Sequence, residues 1–295
     1  MNQYPNRRRF LAAIAASIIS AGCTASPARE NANSLAKMRL ETLEKNLDGR
    51  LGVFALNAAN GHQLNYRADE RFPVCSTFKV LVAAAILTKS VQETALLEQL
   101  VKYERHELVN YSPITEQYIG VGMTVADLCA AALQYSDNTA ANLLMNILGS
   151  PKAVTAFSRS IGDKTFRLDR WETALNSAIP DDPRDTSTPM AMGLSLYQLL
   201  LSDGLPSKHR EKLKAWMLGN TTGATRIKAG IPTDWKIADK TGSGDYGTAN
   251  DIAVVWPAQG KPLVISIYTT QHKQDAKAKS EVIAVAARIV TDWLS

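Results

Sequence analysis

The sequence is poor in the residue types that build disulfide frameworks and metal centres. Its 295 residues include three cysteines and four histidines. Cys23 lies in an N-terminal leader, whereas Cys75 and Cys129 lie in or beside apolar helical runs, where a buried free thiol behaves as a small hydrophobe. We therefore expect two free thiols. We also expect no metal or cofactor, because no ligand-spaced cluster forms among His62, His106, His209 and His272.

Excess charge and long apolar runs are also scarce. Three of the five excess positive charges belong to the arginines at positions 7–9, so residues from Ser26 onward carry +2. This small excess gives no reason to expect a nucleic-acid partner. The apolar stretch from Phe10 to Ile19 is too short to be a transmembrane helix. The remaining composition, 45% apolar and 21% charged, is ordinary for a soluble globular protein.

Residues 1–25 have the order of an export signal, with a basic start, an apolar core and then small residues. The run Arg7-Arg8-Arg9-Phe10-Leu11 resembles a twin-arginine signal, although arginine-rich starts also serve the general export route. Ser20-Ala21-Gly22-Cys23 resembles a lipoprotein cleavage box with a serine where an aliphatic residue is usual. We expect a periplasmic protein, either released in soluble form or held by a lipid anchor on Cys23.

Periodicity predicts strands near both ends of the chain and helices between them. An amphipathic helix over Ser34–Leu47 precedes two strands that flank Asn60-Gly61, a strong hairpin signal. Signals from Ser76 to Leu218 are mostly helical, apart from an aperiodic loop over residues 167–188. Three further strands and a closing helix follow, predicted at Lys236–Lys240, Ile252–Trp256, Leu263–Thr269 and Ser280–Leu294.

This layout predicts an α+β fold. An antiparallel sheet of about five strands, built from both chain termini and flanked by helices, would pack against an inserted all-helical domain. We assign residues 30–68 and 219–295 to the α/β domain and residues 69–218, with the loop 167–188, to the all-α domain. The active site is expected in the cleft at their junction.

Ser76 and Lys79 stand at the predicted start of a buried helix. Three residues apart, they share one helix face, so that a weak nucleophile meets a potential base. The positive end of the helix dipole could also stabilise an oxyanion formed during acyl transfer. Taken alone, this pattern equally fits a serine helix cap and a solvated lysine.

Two further motifs have the chemistry to complete such a site. Tyr135-Ser136-Asp137-Asn138 connects two predicted helices, and its hydroxyl and amide could pass a proton and bind a carbonyl. Lys240-Thr241-Gly242-Ser243-Gly244 follows a predicted strand, and its ammonium and hydroxyl groups could bind a substrate carboxylate. Separately, these segments also fit an ordinary turn with a cap and a solvated strand end.

The order and long spacing of S-T-F-K, S-D-N and K-T-G resemble the motif set of the class A serine β-lactamases. The resemblance covers essentially the whole chain after the leader. It extends to Glu172-Thr173-Ala174-Leu175-Asn176, which matches the family's E-x-x-L-N element, where Glu172 and Asn176 hold the deacylating water. Arg170 and Asp185 match the pair whose salt bridge closes the family's Ω-shaped loop.

The resemblance implies that Ser76 attacks the lactam carbonyl, with the backbone N–H groups of Ser76 and Ser243 forming the oxyanion hole. The Ser76 proton goes to Lys79 or, through water, to Glu172, and the sequence leaves both routes open. Ser136, helped by Lys240, passes a proton to the departing nitrogen. Glu172 then drives water onto the acyl-ester.

The resemblance also implies which residues bind the substrate. The side-chain amide would be bound by Asn138 and the carboxylate by Thr241, Gly242 and Ser243. Tyr111 would form an aromatic wall at the cleft mouth, unless it is a core tyrosine. Arg226 resembles the substitute guanidinium that reinforces the carboxylate site in some branches, and we expect this role rather than a surface charge.

Substrate range is predicted from smaller resemblances. Lys240 to Asn250 looks like the corresponding strand of cefotaxime-hydrolysing enzymes. Cys75 with Trp171 and Arg226 looks instead like carbapenemases, which bridge that cysteine to one where this chain has Gly244. We expect a monomer that hydrolyses penicillins, early cephalosporins and some oxyimino-cephalosporins, and carbapenems poorly.

The alternatives are a D-alanyl-D-alanine peptidase and a β-lactam receptor that stays acylated, and the Glu172 loop argues against both.

Overall fold

A computed structural model describes residues 27–294, so the predictions for the leader lie outside the described residues. The helices of this part follow the predicted periodicity closely, and short 3₁₀ turns occur between them. In chain order they are α1 (Pro27–Lys45), α2 (Lys79–Ser90), α3 (Val125–Gln134), α4 (Asn138–Leu148), α5 (Pro151–Ser160), α6 (Pro189–Leu200), α7 (Ser207–Leu218), α8 (Ile227–Gly230) and α9 (Ser280–Leu294).

A five-stranded antiparallel sheet forms from the two ends of the described chain, which confirms the predicted fold class. Its strands lie in the order β2-β1-β9-β8-β7, and two-residue strands form two small ribbons, β3 with β6 and β4 with β5. The bounds are β1 (Gly49–Asn57), β2 (Gln63–Tyr66), β3 (Phe72–Pro73), β4 (Leu100–Val101), β5 (Met123–Thr124), β6 (Thr186–Ser187), β7 (Lys236–Gly244), β8 (Thr248–Trp256) and β9 (Leu263–Gln271).

Both faces of the sheet are covered, which explains why its strands are almost continuously apolar. Ile265 and Ile267 of β9 join a core with residues of α1 and α9 on one face. Val264 and Tyr268, which alternate with them, join a core with residues of α2, α3, α4 and α6 on the other face. The division into two domains at residues 69 and 218 remains a prediction.

Strand β7 is longer than predicted. We expected it to end at Lys240, but pairing with β8 continues through Gly242 opposite Asn250 and Ser243 opposite Ala249. The K-T-G motif therefore lies within an edge strand rather than after it. Because β7 is at the edge of the sheet, the backbone groups on its outer side pair with no other strand, and glycine there allows a ligand to approach them closely.

Both predicted free thiols are confirmed. Cys75 and Cys129 are buried and form no disulfide. No helix within residues 27–294 is long and apolar enough to cross a membrane.

Candidate active site

The nucleophile candidate Ser76 lies in a 3₁₀ turn, Cys75–Phe78, that runs directly into α2. Cys75 adopts a left-handed backbone conformation with φ of 42°, which turns the chain sharply from β3 into this helical start. Asn250 of β8 supports the turn by donating from Nδ2 to the carbonyl of Pro73 at 2.8 Å. The turn is thus held against the sheet, and Ser76 is buried at its start.

Lys79 is fully buried and its ammonium meets three acceptors. Nζ lies 2.7 Å from the Ser136 carbonyl, 2.6 Å from Asn138 Oδ1 and 3.1 Å from Glu172 Oε1. Three acceptors match the three protons of a charged lysine. Burial lowers the pKa of Lys79, while the charge of Glu172 and its hydrogen bond act in the opposite direction. The lysine is therefore placed to pass a proton to Glu172.

Glu172 reaches the nucleophile from the loop 167–188. Ser76 Oγ lies 3.5 Å from Glu172 Oε1, and Asn176 Nδ2 donates to Glu172 Oε2 at 2.6 Å. A water beside this pair could form hydrogen bonds with both oxygens, because the hydroxyl and carboxylate oxygens lie only 3.5 Å apart. The carboxylate can thus act on Ser76 directly or on a water beside it.

Two sets of contacts hold the loop in place. Arg170 Nε donates to the buried carboxylate of Asp185 at 2.5 Å, so the two residues of the predicted closing pair are in contact. Asn142 of α4 binds the backbone of Glu172 on both sides, accepting from its N–H and donating to its carbonyl, each at 3.0 Å. Asn142 was not predicted from the sequence. Its position one helical turn after Asn138, on the same face, is the signal that could have found it.

Ser136 and Lys240 meet across the cleft. Lys240 Nζ donates to Ser136 Oγ at 3.0 Å and to the carbonyl of Thr241 at 2.8 Å. Burial, together with the nearby charge of Lys79, lowers the pKa of Lys240 well below its usual range. Ser76, Glu172, Lys79, Ser136 and Lys240 therefore form one continuous chain of polar contacts that joins the helical insert to the sheet.

Arg226 is buried beside strand β7 and is not a surface charge. Its guanidinium donates to the carbonyls of Gly242 and Asn250 at 2.7 and 2.6 Å, and to Ser243 Oγ at 2.6 Å. Planar Arg suits this role, because its fork of donors binds several acceptors in fixed directions. Arg226 thus fixes the Ser243 hydroxyl and adds positive charge behind the predicted carboxylate site.

The remaining predicted residues lie around this centre. Asn138 donates from Nδ2 to the Asn110 carbonyl at 2.8 Å while its Oδ1 binds Lys79. Its backbone N–H donates to the carbonyl of Tyr111, whose side chain is 56% exposed, so Tyr111 is not a core residue. A β-carbon at Gly242 would lie 3.2 Å from the Ser76 backbone N, which shows how closely β7 passes the nucleophile turn.

Comparisons with known proteins agree with this geometry. The model of a family described as the β-lactamase enzyme family matches residues 35–294. The β-lactamase CTX-M-97 of Escherichia coli is 54% identical over 260 residues, which cover 88% of this chain and 89% of that one. The β-lactamase OXY-2 of Klebsiella oxytoca is 54% identical over 256 residues, 87% of this chain and 88% of that one.

The chain belongs to the β-lactamase enzyme family. A crystal structure of a β-lactamase from Desulfarculus baarsii superimposes with a TM-score of 0.88 at 54% identity, over 89% of this chain and 98% of that one. The resemblance to class A serine β-lactamases, and the enzyme class that it implied, are thereby confirmed. Within residues 27–294, this β-lactamase has no group of three or more His, Cys, Asp or Glu side chains arranged to hold a metal ion.

A buried acid pair, which was not predicted from the sequence either, lies on the neighbouring strands β7 and β8 of this β-lactamase. Asp239 accepts from Asn220 Nδ2 at 2.6 Å, and Asp251 accepts from the Ile227 N–H at 3.0 Å. The second carboxylate oxygen of Asp251, Oδ1, is buried and has no hydrogen-bond partner. Burial raises the pKa of Asp239 to about 6, and it also raises that of Asp251, whose carboxylate is repelled by Asp239.

Replacing Asp239 by Asn should remove a pH dependence of stability. Because the native pKa of Asp239 is raised, the folded protein binds more protons than the unfolded chain between about pH 4 and pH 6. Parent stability should therefore fall as the pH rises through this window, by on the order of 1 to 2 kcal/mol from this group. Urea unfolding at pH 4.5 and pH 7 should show a smaller decline in Asp239→Asn, and an equal decline in both proteins would contradict the assignment.

Proposed function

We propose that this chain is an exported, monomeric class A β-lactamase that hydrolyses penicillins and cephalosporins through an acyl-enzyme on Ser76 and so confers resistance to them. The observation that carries the proposal is the contact of Glu172 with both Ser76 and Lys79. A hydroxyl beside a buried lysine can be acylated, but a loop-borne carboxylate beside that hydroxyl is what releases the acyl group. The relatives named as β-lactamases support the substrate class.

The proposed reaction uses each group at the position found for it. Ser76 attacks the lactam carbonyl. The negative charge that develops on the carbonyl oxygen is stabilised by the backbone N–H groups of Ser76 and Ser243. The lactam nitrogen leaves with a proton supplied through Ser136, whose oxygen is bound by Lys240. Water activated by Glu172 then attacks the acyl-ester. The two candidate proton acceptors for the first step are in contact with each other, since Glu172 Oε1 lies 3.5 Å from Ser76 Oγ and 3.1 Å from Lys79 Nζ.

Binding of the substrate is proposed for the surrounding residues. The carboxylate would be held by Thr241 and Ser243, with Arg226 behind them, and the side-chain amide by Asn138. Asn176 would share with Glu172 the water that deacylates. Tyr111, exposed beside Asn138, would cover the cleft mouth.

Stopped-flow nitrocefin kinetics test the proposal against its alternatives. An enzyme shows steady hydrolysis over many turnovers, whereas a receptor that stays acylated shows a single stoichiometric burst. A D-alanyl-D-alanine peptidase would release D-alanine from a peptide ending in D-alanyl-D-alanine and would turn nitrocefin over poorly. Activity retained in the presence of a chelator would also distinguish the serine route from metal-assisted hydrolysis.

Carbapenem turnover should be poor. A β-carbon at Gly244 would lie 2.8 Å from Cys75 Sγ, so the position that carries the second cysteine of carbapenemases is adjacent to the thiol, but the thiol stays free here. We expect kcat/KM for imipenem at least about 100-fold below that for benzylpenicillin, equivalent to roughly 3 kcal/mol of lost transition-state stabilisation. Comparable values for the two substrates would contradict this prediction, while some turnover of cefotaxime is expected.

A further inference from the structure

A pair of hydrogen bonds joins the helical insert to the sheet side of the cleft. Gln134 is the last residue of α3, and its carbonyl accepts from both donors of Thr221, from N at 2.9 Å and from Oγ1 at 2.8 Å. The last carbonyls of a helix have no partner within that helix. Thr221, which lies on the segment between α7 and α8, therefore completes the end of α3 from outside.

The same segment holds the side chain of Gln134. A β-carbon at Gly219 would lie 2.5 Å from Gln134 Nε2, so the chain at residue 219 packs directly on this amide. Residues 219–221 thus contact Gln134 at its side chain and at its carbonyl. We call these contacts the Gln134 clasp.

The clasp stands between two parts of the active site. Ser136 follows Gln134 by two residues, and Lys240 binds its hydroxyl at 3.0 Å. Thr222 follows Thr221 and its Oγ1 lies 2.5 Å from Thr241 Oγ1 on β7. Lengthening or shortening the clasp contacts would therefore change the separation between the Ser136 turn and the strand that carries Thr241.

We propose that Thr221 is a positioning residue that limits the room beside the substrate carboxylate, and so sets how large a substituent a cephalosporin can carry at position 3. The proposal rests on the proposed function, because it takes Thr241 and Ser243 as the carboxylate site. In a cephalosporin the carbon that bears the 3-substituent is bonded to the carbon that bears the carboxylate. With the carboxylate on Thr241, that substituent would lie near Thr241, whose hydroxyl is in contact with Thr222, the residue that follows Thr221.

The contact is of the strength that such a role requires. Because Thr221 is exposed, water competes with its hydroxyl for the hydrogen bond to the Gln134 carbonyl. Loss of one hydrogen bond of this kind changes the equilibrium constant between the formed and the broken clasp by roughly 2- to 10-fold. The backbone bond from Thr221 remains in a side-chain variant, so removal of the hydroxyl should loosen the clasp without unfolding the protein.

Two variants and two matched substrates test the proposal. The substrates are cephalosporins with the same thienylacetyl side chain, one with a 3-methyl group and one with a 3-pyridiniomethyl group. Thr221→Val removes the hydroxyl at nearly constant shape, and Thr221→Ser keeps it. We expect the ratio of kcat/KM for the large over the small substituent to rise about 3- to 10-fold in Thr221→Val, and to stay within about 2-fold of the parent in Thr221→Ser.

Other outcomes are decisive as well. An equal loss on both substrates in Thr221→Val would show a merely structural role and overturn the proposal, as would an unchanged ratio. Absence of steady turnover of either compound by the parent protein would instead overturn the proposed function. Hydrogen exchange on the free protein then still tests the clasp, because protection of residues 134–138 should decrease in Thr221→Val and not in Thr221→Ser. Equal protection in both variants would reject the clasp.

Discussion

Replacement of Glu172 by Gln is expected to leave Ser76 able to take up an acyl group but unable to release it. The amide keeps the shape of the side chain and can still accept from Asn176, but it cannot take a proton from water at neutral pH. A positioned general base contributes about 10²- to 10⁴-fold, so kcat for benzylpenicillin should fall by this factor. Intact mass should then show the protein with one bound penicillin after brief mixing.

The control for this variant is Glu116→Gln, which changes an exposed glutamate in the helical insert. It should turn over like the parent and show no stable adduct. Full turnover by Glu172→Gln would remove Glu172 from its proposed role. A variant that neither hydrolyses nor becomes acylated would give a different result, namely that Glu172 also serves the first step.

The rate of adduct formation in Glu172→Gln also separates the two candidate acylation bases. If Lys79 takes the Ser76 proton, acylation should stay close to the parental rate. If Glu172 does so, acylation should slow by a factor comparable to the loss in deacylation. In the structure all three protons of a charged Lys79 have acceptors, the third being Glu172, and Ser76 Oγ lies 3.5 Å from Glu172 Oε1. We therefore expect acylation to slow by at least about 10-fold.

The sequence predicted which residues meet in the site, because each carries a chemical type that acyl transfer needs and stands beside a recognisable helix start or strand. Asn138 begins α4 and Ser76 precedes α2, and both boundaries follow from capping and breaker signals. The hairpin about Asn60-Gly61 and the antiparallel sheet were likewise predictable from alternation and turn residues.

Contacts that depend on the packing of distant segments could not be predicted in the same way. Asn142 holds the Glu172 backbone across 30 residues of chain, and Asp239 lies beside Asp251 only because β7 and β8 pair in one register. The extension of β7 through Gly242 was missed for a related reason. Local propensity favours a turn there, and pairing with a neighbouring strand outweighs it.

Replacement of Asp185 by Ala is expected to destabilise the protein and to misplace Glu172. The buried carboxylate accepts from the backbone N–H of Asp169 at 2.7 Å, from the backbone N–H of Arg170 at 3.0 Å and from the Arg170 side chain. Its removal leaves a partly buried guanidinium and two N–H groups without their acceptor. Breaking a buried pair in this way costs about 3 to 5 kcal/mol, which urea unfolding at pH 7 would measure.

A second ion pair of the same loop provides the matched control. Asp182 and Arg184 are 2.7 Å apart, and because the Arg184 side chain is 48% exposed, solvent screens the attraction between the two charges. Asp182→Ala should therefore change the free energy of unfolding little and leave hydrolysis close to that of the parent. A similar loss of stability in the two variants would contradict the anchoring role of Asp185.

Kinetics distinguish a misplaced loop from a general loss of folded protein. Unfolding lowers the concentration of active enzyme and so reduces the acylation burst and the steady rate by the same factor. In Asp185→Ala, the folded fraction keeps Ser76, Lys79 and Ser136, none of which lies on the loop, whereas Glu172 loses its support. We expect the steady rate per acylated site to fall at least about 10-fold, since deacylation depends on the placement of this carboxylate. Equal reduction of burst and steady rate would show that Asp185 supports the fold alone.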